Sequence, residues 1–171
     1  MMAPLLRRTW APRGKTPILL HRGRWHQKVS AIAALTIPAQ RRRVGLYFSL
    51  LSDANFTGTR VVRFLRSLSA QLQKPLVIVW DRSLTHRAKV VNRFFERHPK
   101  LHRDFLPPYA PDLNPVEMLW GHLKGNPLAN FAPIDTKALA YTTRYHAGRL
   151  KSRKDLLRSF LYATPLFLRP K

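Results

Sequence analysis

Two carboxylates stand where a chain of this pattern could put them to use. Asp81 directly follows "LVIVW" (76–80), a short continuous apolar run of the kind that makes a strand buried on both faces. The carboxyl ends of such strands are where open α/β sheets hold their ligands. Glu117 lies in "FLPPYAPDLNPVEMLWGHLK" (105–124), two residues after the last of four closely spaced prolines. Each acid also has a structural reading. Asp81 fits an Asx-turn or helix cap at a strand–loop junction. Asn114 is a favoured N-cap, Pro115 suits the first helical position, and Glu117 then falls at N3, which spells a capping box without its hydroxyl. Proline restricts its own φ and its predecessor's range, so the loop before the helix is stiff and extended.

The elements that must position these residues follow from periodicity. "KVSAIAALTI" (28–37) and "RVGLYFSLL" (43–51) are β-branched and aromatic runs either side of "PAQRR" and predict an antiparallel pair. Val61, Leu65, Leu68 and Leu72 recur at helical spacing with arginines between them, and Pro75 ends that helix. Val90, Val91, Phe94 and Phe95 mark a second helix that stops before Pro99. "DFL" (104–106) is a short strand candidate, a helix starts near Asn114, and helical segments are expected around 135–149 and 153–163. Residues 1–28, rich in Pro, Gly and Arg, read as an irregular or edge segment. The order β, β, α, β, α, β, α describes a mixed α/β domain around a central sheet.

Composition sets the partner class. The 171 residues suit a single domain, and nine Phe, five Tyr and four Trp within 45% hydrophobic content supply a core. Thirty-one Lys and Arg against eight Asp and Glu give a net charge of +23, and no acid occurs before Asp53. Such an imbalance repels itself unless a polyanion is near, which makes nucleic acid the default partner. Cysteine is absent, which excludes disulfides and thiolate metal sites and suits a reducing compartment. The apolar stretch 29–40 is too short to span a bilayer, so no membrane partner is expected.

The combination of a strand-end aspartate and a helix-start glutamate, with thirty-five residues between them in a very basic chain, resembles the DDE transposases. More specifically it is similar to the mariner-type superfamily in its bacterial insertion-sequence branch. The resemblance is carried by "RRTWAPRGKTP" (7–17), the strand pair, "VIVWDRSLTHRAKVV" (77–91) and the proline-rich string 105–124. It implies an RNase H-like mixed sheet flanked by helices, and a core match over 7–124 followed by a helical tail over 125–171. It also implies Mg²⁺ or Mn²⁺ as cofactor, and DNA, as transposon ends and target, as partner. Phosphodiester cleavage at neutral pH needs a strong oxygen nucleophile and a neutralised leaving group. Two hard divalent ions about 3.5–4 Å apart supply both, and such ions take oxygen ligands. In the family three acids hold them, on the first strand, the fourth strand and a helix. Asp81 matches the second and Glu117 the third.

The chain departs from the family in three ways. The first strand and its aspartate have no counterpart upstream of "RRTWAPRG", where only "MMAPLL" stands. Asp53 follows the wrong strand and reads as a turn or a cap for the next helix; Asp104 reads as a surface charge, and Asp112 belongs to the proline loop. Arg82 stands where relatives often place Asn. No helix-turn-helix region precedes the catalytic segment, so the chain reads as N-terminally truncated, either a relic or one half of a frameshifted transposase.

By the same resemblance His86 and Asn114 stand near the metal site, and Arg82, Arg87 and Lys124 are candidate DNA contacts. Trp120 and Leu123 are expected on the buried face of the Glu117 helix, and Trp10 and Trp25 in core or edge packing. The expected function is that of a transposase catalytic-domain fragment, inactive alone, in a cytoplasmic, nucleoid-associated setting. An upstream transposase half or a second copy is the expected protein partner. The alternative is a non-catalytic basic remnant that binds DNA or inhibits an intact transposase. A basic RNA-binding protein of ribosomal type explains the charge but not the proline loop.

Overall fold

The computed structural model describes residues 5–18, 27–40 and 43–166. Among the described residues nine helices and strands follow one another as β1 (Val29–Thr36), β2 (Gly45–Ser52), α1 (Gly58–Leu72), β3 (Leu76–Trp80), α2 (Lys89–Glu96), β4 (Leu101–Phe105), α3 (Pro115–Gly125), α4 (Thr136–Leu150) and α5 (Lys154–Tyr162). A single 3₁₀ turn, Pro111–Leu113, precedes α3. The order agrees with the periodicity of the sequence. β4 starts earlier than "DFL" suggested, because Leu101 and Arg103 also pair with β3.

β1 and β2 are antiparallel, with Ala33 opposite Phe48 and Leu35 opposite Leu46. Alternation along a strand sends these residues to one face, where Leu46 and Val44 join Leu119, Leu123, Leu157 and Leu161 in a core shared with α3, α4 and α5. β3 and β4 are parallel, and Val61, Leu65, Val91, Phe94 and Trp80 build a second core with α1 and α2. Ile32 of β1 packs against that second core, so the two strand pairs lie side by side.

The pairs form separate two-stranded sheets rather than one continuous central sheet. Among the described residues no strand precedes β1 and none bridges β1 to β3. Backbone groups on the unpaired edges therefore have no ladder partner. On β3 the outward face is apolar, with Val77 71% and Val79 50% exposed.

Gly58 opens α1 at a close approach to α2. A Cβ there would lie 2.7 Å from the Ala88 Cβ and 2.8 Å from Val90 Cγ1, so only glycine lets the two helix starts meet. Gln73 ends α1 in the left-handed region, its N–H donating to Ser69 O.

Candidate active site

Asp81 leaves β3 into a tight turn. Its Oδ1 accepts from the Ser83 N–H at 2.9 Å, the Asx-turn its position suggested. The same oxygen meets His86 Nδ1 at 2.7 Å, so the imidazole donates Nδ1–H to the carboxylate. The ring of His86 lies flat on Trp80, with centroids 4.4 Å apart and planes 6° from parallel. This stack fixes the imidazole and, through it, one oxygen of Asp81. The Asp81 side chain remains 54% exposed, and among the described residues Oδ2 has no hydrogen-bond partner.

The proline loop starts beside Asp81. Leu106 N–H donates to Trp80 O at 2.8 Å, and Arg82 Nε donates to Leu106 O at 3.2 Å. Arg82 is thus engaged with the backbone through Nε, where the sequence suggested a DNA contact. Pro107 and Pro108 then run to Tyr109, which takes a left-handed φ of 56° and is fully exposed. A non-glycine residue there costs of order 1 kcal/mol and reverses the chain toward the 3₁₀ turn.

The loop delivers α3 by its N-terminus. Asn114 caps it, its Oδ1 accepting from Val116 N–H at 3.1 Å, and Pro115 occupies the first turn. The reciprocal half of the capping box does not form: the Asn114 N–H donates instead to Pro111 O at 2.9 Å. The proline loop has satisfied the donor that the Glu117 carboxylate would have capped. Glu117 is therefore an exposed carboxylate with no side-chain partner among the described residues, on the helix end whose dipole favours negative charge. Leu119 and Leu123, 0% and 1% exposed, pin the opposite face into the core, with Trp120 partly buried beside them.

The other candidates separate clearly. Arg87 and Lys124 are exposed. Asp53 does not cap α1, whose N-cap Thr57 makes no side-chain bond. With φ of 50°, Asp53 accepts from Lys28 N–H at 3.3 Å through Oδ1 and from the Thr136 hydroxyl at 2.6 Å through Oδ2, tying the β1–β2 pair to the start of α4. Both of its oxygens accept hydrogen bonds. Asp104 and Asp112 are exposed. Trp10 is fully exposed rather than packed, because Leu5 and Arg7 are held on Asn130 while residue 10 projects beyond that contact; Trp25 lies outside the described residues. No spacing in the sequence signals the Trp80–His86 stack, which depends on how the turn after β3 folds back, or the Asp53–Thr136 bond, which joins residues 83 apart.

The donor chemistry suits a hard divalent ion: two exposed carboxylates, each with at least one uncommitted oxygen, one at the end of β3 and one on the first turn of α3. No hydrogen bond joins Asp81 to Glu117, and among the described residues no group of three or more His, Asp or Glu is arranged to hold a metal. Buried beside Asp81, the Trp80 Nε1–H has no acceptor among the described residues. As a donor it suits a water or an oxyanion rather than a cation. Only two ion pairs form among the described residues, Asp81–His86 and Asp155–Arg158.

The β–β–α–β–α–β–α order, with an acid at a strand end and another at a proline-delivered helix start, makes a mixed α/β domain. Residues 2–139 match the DDE superfamily endonucleases, and the chain belongs to that family. Its fold is that of mariner transposase catalytic domains. The Mos1 transposase paired-end complex with the left transposon end matches at 15% identity with a TM-score of 0.62, covering 94% of this chain and 46% of that one. The Mos1 mariner paired-end complex with Mn matches at 16% identity and 0.51, covering 96% and 53%. The catalytic domain of Mos1 mariner transposase matches at 17% identity and 0.50, covering 81% and 75%. The chain spans about half the length of the transposase chains in the two complexes. No curated protein sequence matches it.

Proposed function

We propose that the chain supplies the second and third acids of a metal-dependent DNA cleavage and strand-transfer site, and that it needs a further acid from outside its described residues to turn over. The observation that carries this reading is a pair of exposed carboxylates with uncommitted oxygens, Asp81 at the end of β3 and Glu117 on the first turn of α3, the latter freed from capping by the Asn114–Pro111 bond. Asp81 Oδ2 and Glu117 would hold Mg²⁺ or Mn²⁺. A bound divalent ion there supplies Lewis-acid charge that activates a water and neutralises the departing oxygen. The residues do the rest. His86, braced on Trp80, orients Asp81 by occupying Oδ1 and leaving Oδ2 outward. Arg82 and the prolines fix the approach of α3, and Arg87 and Lys124 offer charge to a phosphate backbone. Hydrolysis at a transposon end would leave a 3′-OH, and in-line attack of that hydroxyl on target DNA would complete transfer.

A second reading has its own support. With no group of three acids among the described residues and a net charge of +23, the chain is equipped to bind DNA whether or not it cleaves. It would then act as a basic remnant that occupies DNA or joins an intact transposase and inhibits it, and indifference of DNA binding to both acids fits it. One assay separates the two readings: supercoiled plasmid incubated with purified protein and Mg²⁺ or Mn²⁺, alone and with an added upstream transposase fragment bearing the first acid. The first reading expects no nicking alone and nicking on complementation that disappears in Asp81→Ala. Complementation without any nicking sinks it in favour of the second. Nicking by the chain alone that vanishes in Asp81→Ala refutes the need for an outside acid.

A further inference from the structure

A groove of about 410 Å³ runs between the unpaired edge of β2 and one face of α1, and none of its lining comes from β3, the Asp81 turn or α3. Arg60, Phe64, Ser67 and Gln71 recur along α1 at helical spacing and form one wall. Tyr47 and Phe48 of β2 form the other, and Lys151, just past the end of α4, closes the rim. Four aromatic rings, Phe56 among them, thus line a channel with three cations and no carboxylate.

The cations are differently engaged. Arg60 Nη1 donates to Asn55 O at 2.9 Å, which fixes its guanidinium at the mouth. Lys151 Nζ sits 5.3 Å from the centroid of the Phe48 ring. Arg63 is exposed and has no partner among the described residues. Cations held beside aromatic faces, without acids to neutralise them, match a ligand that alternates phosphates with flat rings. A duplex, about 20 Å across, does not enter a channel of this size, whereas an unstacked strand does.

We infer that this groove binds single-stranded DNA, with bases against Tyr47 and Phe64 and phosphates at Arg60, Arg63 and Lys151. The inference rests on the preceding reading only in taking DNA as the partner; it needs no metal and neither catalytic acid. Its place in that reading is to hold a displaced or flanking strand away from Asp81 and Glu117.

The test is fluorescence anisotropy of the full chain with a labelled dT 12-mer, the same-sequence RNA, a backbone-matched abasic oligonucleotide and a duplex, across a salt series. Arg63→Gln with Lys151→Gln removes two exposed groove charges; Lys74→Gln with Lys100→Gln removes two exposed charges elsewhere and controls for net charge. The groove pair is expected to weaken dT binding about tenfold at 0.1 M salt and to flatten the log K against log salt slope by about 1.4. The control pair is expected to change affinity by less than about twofold, and duplex binding to respond alike to both pairs. The abasic strand is expected to bind at least about fivefold more weakly than dT. Equal losses from the two pairs, or an abasic strand that binds as well as dT, overturn the groove while leaving DNA as a partner. A preference of tenfold or more for RNA overturns the choice of DNA. A chain that binds none of the four probes overturns the groove and the DNA-acting reading together.

Discussion

Leu119 is the anchor that turns Glu117 outward, and its removal has a calculable cost. The side chain is 0% exposed and belongs to the core that joins α3 to β2, α4 and α5. Leu119→Ala deletes three buried carbons and leaves a cavity between helices whose other neighbours, Leu123, Leu157 and Leu161, are themselves fully buried. Transfer and cavity terms together cost about 2–5 kcal/mol, and with so little room to collapse the upper half of that range is expected. Against a total stability of about 5–15 kcal/mol for a domain, that is a large share. Two residues away, Glu117→Gln removes a solvent-exposed carboxylate and should leave the urea midpoint essentially where it is. Urea unfolding followed by far-ultraviolet circular dichroism reads both. A loss below about 1 kcal/mol for Leu119→Ala at unchanged m would refute the packing, because a residue sealed in the core cannot be truncated so cheaply.

Asn114→Ala removes the α3 cap and should cost about 1 kcal/mol in the same melts, while Asn114→Asp, which can still accept from Val116 N–H, should recover most of it. Asp53→Ala severs the link between the β1–β2 pair and α4, leaving the Thr136 hydroxyl without its acceptor, and is expected to destabilise by about 1–3 kcal/mol; a silent substitution would contradict the tie. His122 has its pKa lowered from 6.5, first by burial and then by the Arg153 charge. The unfolded chain therefore binds the proton more readily than the folded one, so His122 should cost stability progressively as pH falls from about 7 through 6.5 and below. Thermal midpoints of the wild type and His122→Gln should converge on acidification; parallel curves across pH 7.5–5.5 would rule the effect out.

Most of the element order was readable from apolar periodicity, because α1, α2, β3 and the β1–β2 pair each bury one repeating set of side chains. Asp81 and Glu117 were legible because local rules place them: an apolar run that ends, a cap, a proline at the first helical position. The structure adds which local hydrogen bonds these two residues make. Asp81 takes the Asx-turn and keeps one oxygen outward, while Glu117 escapes capping because Pro111 O claims the Asn114 N–H. The two separate sheets, the Asp53–Thr136 bond and the groove beside α1 depend on residues distant in sequence, and no spacing announces them. Trp10 misled because aromatic character suggests burial, whereas its surroundings are held by backbone contacts to Asn130 that leave the ring in solvent.

The proposed function requires Asp81 and Glu117 to share one divalent ion. Paramagnetic broadening by substoichiometric Mn²⁺ in amide-resolved spectra of the isotopically labelled chain tests it most directly. Amides of 81–86 and of 116–118 should broaden together, and Asp81→Asn or Glu117→Gln alone should weaken the effect at both segments. Broadening confined to one segment, or persisting at the other after either substitution, would contradict it.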